Sequence, residues 1–270
     1  MRARFGTEPA EVDPVASDAA IARILGRRTH RSYARREVPQ SVLDVLLAAA
    51  LSASAKSDYQ QASILHVRDP EKRRRIADLV PAMPWIGDAP VFLVFCADAR
   101  RLRRISEMRG HPAHNADLEA FFNATVDAAL CLQTFVLAAE AAGLGCCPIS
   151  VIRNHLQVVC PLLDLPPGVL PVAGLCVGYP SGTGHASMRL PPSVTLHQDR
   201  YDDAALAQRI DDYDRRRDAR HAIPREKQRA PAKFGHADFY GWSDDKTRQL
   251  AEREGSGFGA FVRKHGFTLD

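Results

Sequence analysis

The segment Val91-Phe92-Leu93-Val94-Phe95-Cys96-Ala97 constrains this chain more than any other. It is an unbroken apolar run with none of the alternation that marks a strand with one wet face. Such a run predicts a strand in a sheet covered on both faces, with helices packed on either side.

The surrounding pattern agrees. Ile64–Arg68, Cys146–Ile149 and Leu170–Gly178 read as further strands, and Pro70–Leu79 as a basic helix. After Pro39, Gln40-Ser41 can open a helix whose Val42, Leu43, Val45, Leu46, Leu47, Ala49 and Ala50 are largely apolar. It ends in the small polar run 52–58, suited to a loop whose backbone approaches a ligand closely. From Asn115 to Ala142 the sequence predicts a long helix with apolar residues spread beyond one stripe. Such a helix is buried on most sides, either centrally or at a subunit interface. Gly143-Leu144-Gly145 stops it. The order of elements is α+β, without a strict βαβ repeat.

The polar residues 1–16, with Pro9 and Pro14, predict an extended arm before a helix from about Ser17. A core follows over 17–192. Beyond Pro191-Pro192 the composition turns polar and charged, which marks 193–270 as an extension. It holds two helical patterns, Asp202–Arg220 and Ser243–Lys264, joined by the basic segment Ile223–Phe234.

Several function classes lose their local signals. The formal charge of +4 is too small to imply nucleic acid by itself, although basic residues cluster at Lys72–Arg75, Arg100–Arg104 and Arg215–Arg217. No apolar run predicts a membrane span, and Met1-Arg2-Ala3-Arg4-Phe5 is not followed by the apolar core of a signal peptide, so a cytoplasmic protein is expected. Cys96, Cys131, Cys146, Cys147, Cys160 and Cys176 sit in apolar contexts without a CxxC pair, and read as core residues. Ten histidines offer no HExxH, and no metal site is expected. GxSxG, GxxxxGK[ST] and GxGxxG after a strand are all missing. Any catalysis therefore belongs to a cofactor.

One segment points to its chemistry. Arg27-Arg28-Thr29-His30-Arg31-Ser32-Tyr33 places three guanidiniums and a hydroxyl in its first five residues, just past the apolar helix Ala19–Leu25. Guanidinium forks hold phosphate oxygens bidentately, and a hydroxyl and backbone N–H groups fill the remaining positions. The same residues also read as a solvated basic linker. Trp85, likewise, reads either as packing or as a surface on which a substrate stacks.

Taken together, these blocks resemble the flavin-dependent nitroreductases. Arg27–Tyr33 followed by Val38-Pro39 resembles that family's R-R-S-x-R-x-F opening, and Ser54–Gln60 its small-residue flavin loop. Phe122–Asn154, Leu170–Pro180 with Arg189-Leu190-Pro191, and Trp242–Phe267 are similar to the branch that holds oxygen-insensitive NADPH nitroreductase and flavin reductase P. The resemblance implies a nitroreductase-like α+β fold with a central, mainly antiparallel sheet flanked by helices. It also implies an intertwined homodimer whose C-terminal extension covers the partner and the donor site.

The implied cofactor is FMN, with NADPH or NADH as electron donor and no side chain essential to the chemistry. Arg27, Arg28, Thr29, Arg31 and Arg189 are implied at its phosphate and ribityl end, and Ser54, Ala55, Lys56 and Gln60 at the ribityl or ring edge. Ile149, Ser150 and Val151 are implied to offer backbone N–H groups to the ring, where donors favour the charge of the reduced form. The implied activity is ping-pong reduction of small electron-poor acceptors such as nitroaromatics and quinones. Two alternatives stand beside it: a specialised flavin enzyme acting on one metabolite or on free flavin, and a flavin-free basic binding protein. The chain departs from the branch at Ser150-Val151, where Gly-Gly is usual, at Met83 in place of glutamine, and at Ser187 in place of lysine. Of the basic residues that meet the donor's 2′-phosphate only Lys233 is in place, and Asp238 stands at a basic position; Arg225, Lys227 and Arg229 could substitute.

Overall fold

The computed structural model describes residues 2–6, 18–114, 117–255 and 257–268. The chain forms two compact units, one of residues 1–27 with 186–254 and the other of residues 28–185 with 255–270.

The second unit is built on a four-stranded sheet. Its strands are β1 (Ala62–His66), β2 (Val91–Asp98), β3 (Gly145–Ile149) and β4 (Val169–Gly178), in the order β1-β2-β4-β3 with every neighbour antiparallel. β2 is buried along its whole length, as its composition predicts. Val91, Leu93 and Phe95 enter one core, with Leu43, Leu46, Phe135 and Val136; Phe92, Val94 and Cys96 enter another, with Ile76, Ile86 and Val159. Both faces of the sheet are therefore covered.

β1 starts two residues earlier than its apolar run, because Ala62 pairs with Ala97. Between β2 and β4 the register shifts after Phe95: Ala173 faces Phe95, but Pro171 faces Cys96. Val172 is the extra residue of this bulge, and Arg153 donates to its carbonyl.

The helix Leu118–Ala141 lies over the first core, its start capped by Asp117, which accepts from the N–H of Ala120 at 3.0 Å. The expected first turn, at 115 and 116, lies outside the described residues. Phe135 meets Phe95 edge-on at 5.9 Å. By length and composition alone this helix could cross a bilayer, contrary to the sequence expectation. In this fold one side of it packs on the sheet.

The helical pattern expected over Ser243–Lys264 is broken. Trp242–Leu250 forms a helix in the first unit and Phe258–Lys264 one in the second, because Gly255 and Gly257 between them take φ of 63° and 83°. In the second unit Phe258 and Phe267 pack around Phe121.

The first unit is organised by buried polar groups. Of the expected arm only residues 2–6 are described, and Arg2–Phe5 is a helical turn; residues 7–16 lie outside the description. Ala19–Gly26 is a helix capped by Asp18, and the longer helix Leu206–His221 buries Tyr213 and Asp214. Tyr213 donates to Met188 O at 3.0 Å and meets Trp242 edge-on, while Asp214 accepts from the N–H and hydroxyl of Ser243.

Candidate functional site

Arg28–Tyr33 lies along the outer edge of β3. Thr29 makes a parallel bridge to Cys146, and the N–H of His30 donates to Cys146 O at 3.0 Å. A glycine is required opposite: a Cβ on Gly145 would stand 2.7 Å from His30 Cγ. Tyr33 fixes the far end, donating to His30 O at 2.7 Å and Cys176 O at 3.3 Å, and burial pushes its phenol up. Arg28 donates to Thr183 O at 2.8 Å, and the Arg31 guanidinium lies 5.5 Å from the centroid of the Trp85 ring. Trp85 itself packs against the second core.

The loop after the helix Gln40–Leu51 is held from both sides. Asp127, buried within the helix Leu118–Ala141, accepts from Lys56 N–H at 2.9 Å through Oδ1 and from Gln61 N–H at 3.0 Å through Oδ2. Arg101 donates to Gln60 O, Ala62 O and the Ser63 hydroxyl, and pairs with Asp98 at 3.0 Å. Between these anchors Ser57, Asp58 and Gln60 take φ of 48°, 57° and 54°, a left-handed backbone that is costly without glycine.

A cavity of about 370 Å³ opens beside the loop, lined by Ser54, Ala55, Gln60, Gln61, Arg101 and Asp127 among others. The two glutamines differ sharply. Gln60 is exposed and its amide donates to Asp58. Gln61 is 4% exposed, and its Nε2 has no hydrogen-bond partner among the described residues. Lys56 is exposed, with its backbone rather than its ammonium carrying the clamp.

β3 ends at Ile149, which is buried, and Ser150–His155 continues as a 3₁₀ turn. The first N–H groups of such a turn, here those of Ser150 and Val151, have no acceptor within it.

In the first unit Arg4 draws two sequence-expected positions together. It is buried, and donates to Leu25 O at 3.1 Å, Ser187 O at 2.8 Å and Arg27 O, while its own carbonyl accepts from Arg189 N–H at 2.7 Å. Arg189 is exposed. The basic segment near residue 230 is mostly self-paired: Arg229 with Asp245 and Lys233 with Glu252, each at 2.9 Å, and Arg225 with Asp238 at 4.0 Å. Lys227 is exposed and lies in none of these ion pairs.

The six cysteines are free and buried. Burial pushes the thiols of Cys96, Cys131, Cys147, Cys160 and Cys176 up, that of Cys160 to about 12, which leaves these five in the protonated, unreactive form. Among the described residues no cluster of three or more His, Cys, Asp or Glu could hold a metal.

Residues 24–179 match the profile of the Nitroreductase family, and residues 187–270 that of the Nitroreductase family, C-terminal domain. The chain belongs to the nitroreductase family. It is 36% identical over 183 residues to an FMN reductase [NAD(P)H] of Bacillus subtilis (67% of this chain, 74% of that one). It is 33% identical over 194 residues to an oxygen-insensitive NADPH nitroreductase of Salmonella typhimurium (71% and 79%). The solved structure of NfrA2 from B. megaterium superposes with a TM-score of 0.82 at 32% identity, covering 93% of this chain and 98% of that one.

Sequence reading passes over Arg4 in the first unit, and over Gln61, Asp127 and Arg101 in the second. The available signal was one of exception: Asp127 is a carboxylate inside an apolar helix, and such a group must find donors.

Proposed function

We propose that the chain is an FMN-dependent NAD(P)H oxidoreductase that reduces small electron-poor acceptors such as nitroaromatics and quinones. The observation that carries this reading is the buried amide of Gln61. A buried donor left unpaired costs about 1–3 kcal/mol, and an acceptor on a ligand in the adjoining cavity recovers it. The donor set fits FMN. Guanidiniums of Arg27, Arg28, Arg31 and Arg189 with the Thr29 hydroxyl suit its phosphate and ribityl end; Ser54, Ala55 and Lys56 suit the ribityl or ring edge. Gln61 serves in the role for which the sequence offered Gln60. Ile149, Ser150 and Val151 present backbone N–H groups where negative charge on the ring is favoured.

When bound, FMN supplies two-electron hydride exchange between nicotinamide and acceptor. The protein's part is to fix, orient and stabilise charge, and none of its side chains is assigned as an acid or base. Lys227 is left as the cation available to a donor's 2′-phosphate, since Arg225, Arg229 and Lys233 are already paired.

The reading includes a homodimer. Leu118, Phe122, Val126 and Leu130 repeat every fourth residue along the helix Leu118–Ala141 and are 39–64% exposed; Val45 and Leu51 on the helix Gln40–Leu51 are 68% and 60% exposed. A second copy covering these residues removes the apolar stripe from water. The enzyme is placed in the cytoplasm, with the NAD(P)H it consumes.

The test is an anaerobic absorbance spectrum of the FMN-reconstituted protein before and after NADPH or NADH, and then after a nitroaromatic or quinone. The flavin band is expected to bleach with the nicotinamide and return with the acceptor. Failure to bind FMN, or a band that no nicotinamide bleaches, would overturn the reading.

A further inference from the structure

One wide concavity of the second unit is not accounted for by the flavin. It measures about 870 Å³ and is lined by Arg31, Arg35, Arg36, Arg68, Arg73 and His66, together with the carboxylates Glu37 and Asp88. Of the residues assigned to FMN it contains only Arg31. Arg31 comes from Arg28–Tyr33, and the others from the connection after it, from just past β1 and from the helix Pro70–Asp78, so no sequence motif announces the set.

None of the five arginines forms an ion pair with a carboxylate among the described residues. Three are nevertheless held in place. Arg36 stacks over the Tyr179 ring at 3.8 Å from its centroid, Arg31 lies over Trp85, and Arg73 donates through Nε to Ile86 O at 3.2 Å. Stacking occupies the face of a guanidinium and leaves its N–H edges free. The five guanidiniums outnumber the two carboxylates around this concavity, and its walls focus the net positive field on whatever enters.

We propose that this cavity binds a small molecule carrying two or more linked phosphates. A single phosphate is saturated by about two guanidinium forks and would leave most of these donors unused. Nucleic acid fits less well, because the basic run Lys72–Arg75 does not extend the cationic surface. Lys72 pairs with Asp164 at 2.9 Å and Arg74 with Glu71 at 2.7 Å, so Arg73 is the member of that run that lines the cavity with its charge unpaired.

The experiment is calorimetric titration of inorganic tripolyphosphate into the FMN-saturated protein. One site per chain is expected, weakened by added salt and by about tenfold in each of Arg35→Ala and Arg68→Ala, with FMN content unchanged in both. In the wild-type protein the His66 titration, followed by NMR, gives a local readout. Burial, then the charges of Arg68 and Arg73, hold its pKa low, and a bound polyanion raises it. ADP binding more tightly than pyrophosphate would assign a nucleoside to the remaining volume, and equal binding an inorganic chain; both support the site. Binding only to flavin-free protein, equal affinity in the arginine variants, an unmoved His66 or tighter binding of a single-stranded oligonucleotide would each overturn it. Loss of FMN binding in the wild type would instead count against the flavin reading, with the His66 result still readable.

Discussion

Replacing Asp127 by alanine should release the loop 54–61 without unfolding the protein. The carboxylate takes two backbone N–H groups, at 2.9 and 3.0 Å. A hydrogen bond to a charged acceptor contributes about 1.5–3 kcal/mol. Taking the lower end for exposed Lys56 and the upper for buried Gln61, the clamp holds the loop by about 4.5 kcal/mol. Against it stand the left-handed conformations of Ser57, Asp58 and Gln60. At about 1 kcal/mol each, and less for Asp58, these store up to about 3 kcal/mol that opening releases. The two quantities are close, so the loop stays closed only while the carboxylate is present. A domain of this kind has about 5–15 kcal/mol of global stability, and local opening is the cheaper escape.

The assay is amide hydrogen exchange of Asp127→Ala. Protection across 56–61 should fall by about tenfold, the whole of the roughly 1.5 kcal/mol margin, while β2 stays protected, and FMN affinity should fall with it. Asp127→Asn, which keeps one oxygen but turns an amide N–H₂ toward the other donor, should lie between. Unchanged exchange in the loop, with a loss of stability spread over the whole chain, would reduce Asp127 to an ordinary buried group.

Other expectations can be checked with standard measurements. Gly174→Ala places a Cβ 2.6 Å from Cζ of fully buried Phe92, and should cost about 1–3 kcal/mol in urea unfolding; a neutral change would mean that the sheet yields there. The six thiols should resist a disulfide reagent at pH 8 in the native state and react together after denaturation. For Asp245, burial raises the pKa, but Lys246 and Arg229 outweigh it and hold the carboxyl below its usual range. Its contribution is therefore full above the ordinary carboxylate pKa and lost as pH falls through the lowered native value. The stability difference between wild type and Asp245→Asn should shrink over that acid range. Phe122→Asp, on the exposed stripe, should shift sedimentation toward the monomer.

The fold was legible wherever burial had a simple pattern. β2 announces itself because both of its faces are covered, and β4 nearly so. The sequence offered a single pattern over Ser243–Lys264, because the apolar spacing on either side is helical; what divides it is the backbone at Gly255 and Gly257, which periodicity does not report. The site divides in the same way. Arg27–Tyr33 is continuous in sequence and could be read directly. Gln60 and Gln61 are neighbours of identical type, and only the chain's turn into β1 decides which is buried. Arg4 lies in a polar stretch with nothing to mark it, and its importance comes from the carbonyls it collects at Leu25, Arg27 and Ser187. Arg35, Arg68 and Arg73 are scattered in the chain, and only tertiary structure groups them.

β3 is an outermost strand, and the bridge at Thr29 together with the His30 bond to Cys146 occupies its free side. The residues proposed to supply cations to FMN thus also act as a stopper on a strand that would otherwise be open to addition by another chain. A substitution that dislodges Arg28–Tyr33 exposes a template for edge-to-edge assembly as well as weakening ligand capture. Solubility and cofactor retention are consequently joined in one short segment, and variants selected for either property carry the other with them.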